Sequence, residues 1–153
     1  MTAAARQVIA RLGLAPLPPE GGFFRATWRN ATASAILYLI TDDDFSALHR
    51  LAQDEVWHFC AGDPIEHVQL DPRDGLVRTA RLGPDILAGE WPQVVVPAGV
   101  WQGARRAGGS SGFALLGCTV SPPWDERGFE LGARAELLAA FPAHPGIVRD
   151  FTR

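Results

Sequence analysis

The chain contains no lysine, since all 14 of its basic residues are arginines. This excludes Schiff-base chemistry on a side-chain amine. Cysteine is also scarce: Cys60 and Cys118 are too few for a disulfide-stabilised scaffold. No apolar run approaches the roughly 20 residues of a membrane-spanning helix, and the N-terminal segment lacks the pattern of a secretory signal. We therefore expect a cytoplasmic protein that does not interact with membranes.

The charges show no bias toward a polyanionic partner. There are 17 acidic and 14 basic residues, a net charge of −3, and no long run of either sign. Nucleic-acid surfaces need clustered arginine or lysine, so we expect no nucleic-acid binding. Hydrophobic residues make up 47% of the 153 positions. This is enough to bury a substantial core, and we expect one domain spanning residues 1–153.

Short segments rich in aromatic and β-branched residues recur along the chain, with turn residues between them. Residues 65–71 and 76–82 flank a Pro-Arg-Asp-Gly turn and predict a hairpin. The apolar spacing predicts one short helix over residues 3–13 and another that ends near Pro142. Roughly eight to ten strands with helices only at the ends predict an all-β fold, an antiparallel sandwich or small barrel such as a jelly roll.

The stretch Phe45–Pro64 concentrates the residues best suited to chemistry. Strand alternation puts Glu55, Trp57 and Phe59 on one face, and Val56, His58 and Cys60 on the other. On an interior face, Glu55 would be partly desolvated, which raises its pKa and suits it to acid–base catalysis or metal binding. Alternatively, Glu55 pairs with an arginine or faces solvent.

His49 lies six residues before Glu55, across a short loop, so the two side chains could converge at one end of a barrel. They form the predicted catalytic pair. His58 points to the opposite face, where we expect a structural or interface role. Cys60 and Cys118 are expected to be small core residues of strands.

Two further segments supply candidate ligand-binding residues. The Pro-Ala-Gly turn at 97–99 delivers Trp101 and Gln102 at the start of a strand. Gln102 could bond a ligand inside a pocket or be a surface amide, and periodicity alone does not decide between these. Arg25 follows a Gly-Gly pair that is typical of a bulge or strand start, and it could anchor an anion if it faces the cavity.

The blocks PEGGFFR, DFSALHRLAQDEVWHFCAGDP, GEWPQVVVPAGVWQGAR and GFALLGCTVSPPWD, in this order, resemble the cupin-5 family of the cupin superfamily. The resemblance runs from about Leu14 to Pro145. It implies a double-stranded β-helix, or jelly roll, that commonly forms a homodimer and has a pocket at one end of the barrel. Several apolar residues (Phe23, Trp28 and Val56) that do not fit a single core also favour a homodimer.

Mapped onto the two cupin motifs, His49 takes the position of the first histidine and Glu55 that of the glutamate. Leu51 stands where the second histidine would be, and Gln102 replaces the histidine of the second motif. The resemblance therefore implies no tightly bound metal and no other cofactor. A metal-dependent enzyme using His49, Glu55 and Gln102 is the alternative.

The resemblance also implies a small-molecule pocket walled by Trp57, Phe59 and Trp101, with Arg25 and Gln102 as further ligand-binding residues. Its architecture is similar to that of metal-free sugar epimerases. The hypothesis is a metal-independent epimerase or isomerase for a small polar or sugar-like substrate, with His49 as base and Glu55 as acid or orienting group. A non-catalytic ligand-binding protein on the same barrel is the other alternative.

Overall fold

Eleven strands and three helices make up the computed structural model, which describes residues 1–153. The strands are β1 (Ala15–Pro16), β2 (Phe23–Arg29), β3 (Ser34–Thr41), β4 (Ser46–Leu51), β5 (Asp54–Gly62), β6 (Ile65–Leu70), β7 (Val77–Leu82), β8 (Gln93–Val96), β9 (Trp101–Arg106), β10 (Phe113–Ser121) and β11 (Phe129–Leu131). The helices are α1 (Ala3–Leu12), α2 (Arg134–Ala140) and α3 (Pro145–Asp150). None of them is long and apolar enough to cross a membrane.

The strands form two antiparallel sheets. The six-stranded sheet has the order β1-β2-β3-β10-β5-β8, and the five-stranded sheet has the order β11-β4-β9-β6-β7. The predicted hairpin is confirmed, because β6 and β7 pair from Ile65↔Leu82 to Leu70↔Val77. The all-β jelly-roll prediction is confirmed, with eleven strands instead of eight to ten and helices at the two ends of the chain.

The main core lies between the two sheets. Its buried members are Tyr38, Ile40, Trp57, Ile65, Leu82, Val96, Val100, Ala104, Ala114, Leu116 and Cys118. Tyr38 and Trp57 pack edge to face, with ring centroids 5.6 Å apart, a favourable aromatic geometry. Because alternate residues of each strand enter this layer, its composition follows the period of two in the sequence.

A second core covers the outer face of the five-stranded sheet. Helices α2 and α3 lie on this face and bury a continuous apolar cluster: Leu48, Val68, Leu70, Trp101, Leu137, Phe141, Val148 and Phe151. Strand residues next to these in sequence point the other way, into the space between the sheets. The helices therefore determine which face of β4 and β9 is interior.

The connection between β4 and β5 positions the candidate site. Only Ala52 and Gln53 separate the two strands, yet β4 belongs to the five-stranded sheet and β5 to the six-stranded sheet. The chain thus crosses from one sheet to the other within two residues. As a result, His49 on β4 and Glu55 on β5 line the same cavity from opposite sheets.

Candidate functional site

A cavity of about 390 Å³ lies between the sheets and opens at one end of the barrel. Of its 21 lining residues, 13 are hydrophobic, so it suits a ligand with an apolar body. Its aromatic lining consists of Phe24, Trp28, Tyr38, Trp57, Trp124 and Phe129. The acids, bases and cations among the lining residues are Glu20, Arg29, His49, Glu55 and Glu126.

Glu55 is held in place by a relay of two buried side chains. Nε2 of Gln102 donates to Oε2 of Glu55 over 2.6 Å, and Oε1 of Gln102 accepts from Nε1 of Trp57 over 2.8 Å. Gln102 is completely buried, so it is not a surface amide. Because both ends of its amide are engaged, Gln102 orients Glu55 and does not itself reach a ligand.

Burial changes the acidity of Glu55. Only 6% of the residue is exposed, and desolvation raises the pKa of its carboxyl to about 7. The nearby Glu20 carboxylate adds to the rise, whereas His49 and the hydrogen bond from Gln102 oppose it. A carboxyl with this pKa is present in both protonation states near neutral pH, which suits it to proton transfer.

His49 directs its Nε2 toward the cavity. Its Nδ1 lies 2.8 Å from the carbonyl oxygen of Ala47, which can only accept, so Nδ1 carries the hydrogen. In the neutral ring, Nε2 then has the free lone pair. The ring is 3% exposed and stacks on Phe129, with centroids 5.5 Å apart. The imidazole is therefore fixed with its basic nitrogen available.

Glu20 is a functional candidate that the sequence reasoning missed. Its Oε2 lies 3.9 Å from Nε2 of His49, and its Oε1 accepts from the Ser46 hydroxyl over 2.9 Å. The loop that carries it depends on Gly22, whose φ is +71° and where a Cβ would lie 2.7 Å from the Tyr38 hydroxyl. The Glu-Gly-Gly sequence is the available signal, but on its own it indicates only a bulge or a strand start.

Two half-exposed tryptophans form the mouth of the cavity. Trp28 is 51% exposed and Trp124 is 41% exposed, and both line the cavity. Nη1 of Arg29 donates to the Trp124 carbonyl over 2.7 Å, and the Trp124 amide donates to the Ser34 hydroxyl over 2.9 Å. These bonds tie the loop after β10 to the β2–β3 hairpin and give the mouth a defined shape.

Three predicted ligand-binding residues lie away from the cavity. Arg25 alternates with the cavity residue Phe24, so it points outward, and its Nη1 donates to the Leu12 carbonyl over 2.9 Å. Trp101 alternates with Gln102 and packs into the second core, beneath the Arg50 guanidinium. Phe59 lies four residues, or about 13 Å, beyond Glu55 along β5. Of the five predicted ligand-binding residues, only Trp57 lines the cavity.

The outer face of β5 carries His58 and Cys60. Nε2 of Gln93 donates to Nδ1 of His58 over 2.8 Å, so His58 makes a cross-strand hydrogen bond outside the cavity. Cys118 is buried as expected. The expectation that Cys60 is a core residue was wrong, because it is exposed on this outer face beside a register shift in the β5–β10 pairing.

The positions of the cupin metal ligands do not provide a metal site here. Leu51, at the position of the second histidine, lines the cavity and has no donor atom. The carbonyl oxygen of Gln102 is already bonded to Trp57. No group of three or more histidine, cysteine, aspartate or glutamate side chains is placed to hold a metal ion. The arrangement provides acid–base groups rather than a coordination sphere.

Comparisons with solved structures show close similarity over nearly the whole chain. A crystal structure of a Shewanella oneidensis protein is 37% identical, with 97% of each chain covered and a TM-score of 0.90. A hypothetical protein from Leishmania major is 32% identical, with 99% of each chain covered and a TM-score of 0.89. A dTDP sugar isomerase from Desulfovibrio desulfuricans is 19% identical over 78% of this chain and 80% of its own, with a TM-score of 0.58, which shows a shared fold only.

A comparison with functionally curated proteins gave no match. A family model described as "Cupin superfamily (DUF985)" matches residues 6–132. This match covers most of the chain, and it includes the Glu-Gly-Gly loop, both strands of the His49–Glu55 pair and the Gln102 strand. The chain therefore belongs to the cupin-5 family of the cupin superfamily.

Proposed function

We propose that this cupin barrel binds a small polar molecule in its cavity and rearranges it by proton transfer, as an epimerase or isomerase does. The observation that carries the proposal is the pairing of two groups in one cavity. Glu55 is a buried carboxyl whose pKa is about 7, and His49 presents a free Nε2. Together they supply an acid and a base near neutral pH without a metal.

The chemistry suited to this pair is the enolisation of a carbonyl compound. Nε2 of His49 removes a proton from the carbon next to the carbonyl group, and the bonding electrons shift to the carbonyl oxygen. The protonated Glu55 carboxyl donates its hydrogen to that oxygen, which gives a neutral enol. For an isomerisation, His49 returns its proton to the neighbouring carbon, and Glu55 takes up the hydroxyl proton of the adjacent oxygen. For an epimerisation, water protonates the other face of the carbon, the enol hydroxyl returns its hydrogen to Glu55, and His49 releases its proton to solvent. Either route restores both residues.

The second candidate function is ligand binding without catalysis. It is favoured by the lining, in which 13 of 21 residues are hydrophobic and only a few polar groups converge. In that case Glu55 and His49 would orient a ligand through hydrogen bonds alone. The sugar isomerase that shares the fold makes sugars one class to screen, although the low identity supports no more than the shared architecture.

Proton exchange with solvent separates the two functions. The protein is incubated in D₂O with free aldoses, ketoses, amino sugars and simple hydroxyketones, and the loss of the α C–H signal is followed by NMR. Catalysis predicts deuterium incorporation into at least one compound well above the buffer rate. A compound that binds but incorporates no deuterium, with no other compound exchanging, would favour the non-catalytic protein.

We also propose that the chain forms a homodimer. Strand β8 is an edge of the six-stranded sheet, and Val95 on it is 58% exposed, beside Val56 of β5. Light scattering should give about 33 kDa, twice the 16.5 kDa of one chain. Val95→Asp should shift the mass to that of the monomer, whereas Leu76→Asp, at a position 54% exposed in the hairpin, should not. A monomeric wild type at micromolar concentration would contradict the proposal.

The predicted cytoplasmic location stays a prediction.

A further inference from the structure

The cavity carries an excess of negative charge. Three acidic side chains, Glu20, Glu55 and Glu126, line it, against the single guanidinium of Arg29. Arg29 lies at the mouth, where its Nη1 is already bonded to the Trp124 carbonyl. Arg29 is the only guanidinium of the lining and it lies at the mouth, so a phosphate or carboxylate group at the inner end of the cavity would meet the acidic side chains without a cation beside it. A positively charged group would be attracted.

The free hydrogen-bonding groups at the inner end of the cavity also favour a cationic ligand, because they are acceptors. The aromatic donors deep in the cavity are used within the protein, since the Tyr38 hydroxyl donates to the Gly21 carbonyl and Trp57 donates to Gln102. The other aromatic donors, the indole N–H groups of Trp28 and Trp124, lie at the mouth. Acceptors remain free at the inner end. Glu55, which is 94% buried, receives its bond from Gln102 on Oε2 and none on Oε1, and Nε2 of His49 has no donor within bonding range. The complementary ligand group is a donor of hydrogen bonds.

The walls around these acceptors are aromatic faces and edges. Tyr38 and Trp57 lie deep in the cavity, Phe129 lies beside His49, and Trp28 and Trp124 lie at the mouth. Aromatic faces attract organic cations through the negative potential of the ring, and the attraction grows as the cation is desolvated. The same rings provide contact for an apolar body attached to the cation.

From these three features we propose that the ligand of this cavity is an organic ammonium compound, with a protonated amine directed to the Glu20, His49 and Glu55 end and an apolar body against the tryptophans. The inference rests on one part of the proposed function, namely that the ligand binds in this cavity. It does not depend on catalysis. For the isomerase proposed above, it narrows the substrate class to amine-bearing carbonyl compounds such as amino sugars.

Three probes of matched size test the inference directly: benzylammonium, benzyl alcohol and benzoate. Each is titrated into ¹⁵N-labelled full-length protein at pH 7.5, and the indole N–H signals of the five tryptophans are followed. We expect the cavity indoles Trp28, Trp57 and Trp124 to shift while Trp91 stays. Benzylammonium should bind about tenfold more tightly than benzyl alcohol, because the charge adds a cation–π and carboxylate term. Benzoate should bind least.

Carboxamide variants locate the charge that selects the cation. Glu20→Gln should reduce the preference for benzylammonium over benzyl alcohol severalfold. Glu126→Gln, at the exposed mouth, gives a second test that does not alter the packed interior. Glu136→Gln on α2 makes the same change in net charge away from the cavity and should have no effect. Equal affinity for the three probes, a preference for benzoate, or no binding of any probe would overturn the inference. Because binding is read without turnover, its failure is distinct from a failure of the exchange assay.

Discussion

His49→Asn is expected to abolish solvent exchange of the substrate α-proton. Asparagine keeps an N–H donor at the position of Nδ1, so the 2.8 Å bond to the Ala47 carbonyl can be retained. It has no counterpart of Nε2 and therefore lacks the base that takes the α-proton. Loss of a positioned general base costs on the order of 10² to 10⁴ in rate. The measurement is the initial rate of deuterium incorporation by NMR, with whichever compound the wild type exchanges.

Glu55→Gln should reduce the same rate by a similar factor. Glutamine has almost the same shape and can still accept the hydrogen bond from Gln102, but its amide cannot serve as a proton donor of suitable acidity.

The matched control for His49→Asn is His58→Asn, which makes the same substitution on the outer face of β5, outside the cavity. A His49→Asn protein that folds and retains more than half of the wild-type rate would exclude His49 as the base.

The interior pair could be predicted from the sequence because strand alternation and the cupin motif agree at these positions. Alternation places Glu55 and Trp57 on one face of β5, and both line the cavity. The resemblance relates His49 to Glu55 through a motif whose spacing spans two strands. Neither signal alone shows that β4 and β5 belong to different sheets, and that crossing is what brings the two side chains to the same cavity.

Arg25 and Trp101 of the predicted ligand-binding set lie outside the cavity because of the phase of their strands. Trp101 and Gln102 are adjacent in β9, so only one of them can face the interior. The apolar tryptophan was the natural choice for the interior. However, α2 and α3 provide an apolar cover on the outer face, and the buried position between the sheets goes to the glutamine. When helices bury the outer face of a sheet, both faces of its strands are buried, and the alternation of polar and apolar residues no longer shows which face is interior.

Glu20 and the mouth of the cavity could not be predicted, because their positions depend on contacts between distant segments. The carboxylate of Glu20 is held by Ser46, which lies 26 residues away in sequence. The Arg29 side chain bonds the Trp124 carbonyl across 95 residues. Periodicity describes neighbours along one strand, and a single sequence carries no information about pairs of this kind.

Glu55→Gln is also expected to make the protein more stable above neutral pH, by about 3 kcal/mol at pH 8.5. Burial raises the pKa of Glu55 from its ordinary value of 4.5 to about 7 in the folded protein. The folded state therefore holds the proton more tightly than the unfolded state does. The resulting stabilisation is fully present below pH 4.5 and is lost as the pH rises through 7. A shift of this size corresponds to about 3 kcal/mol, at about 1.4 kcal/mol for each pH unit.

Glutamine stays neutral at every pH, so the variant does not lose that stabilisation. Urea unfolding at pH 4, 5, 6, 7 and 8.5 should give two stability curves that nearly coincide at pH 4, separate mainly between pH 5 and 7, and run parallel above pH 7, with the variant above the wild type. Glu136→Gln, which removes an exposed carboxylate, should track the wild type at each pH. If Glu55→Gln were instead less stable at pH 8.5, the charged carboxylate would be a structural element of the barrel. A variant that gains stability while it loses proton exchange would identify Glu55 as a carboxylate kept for function at a cost to the fold.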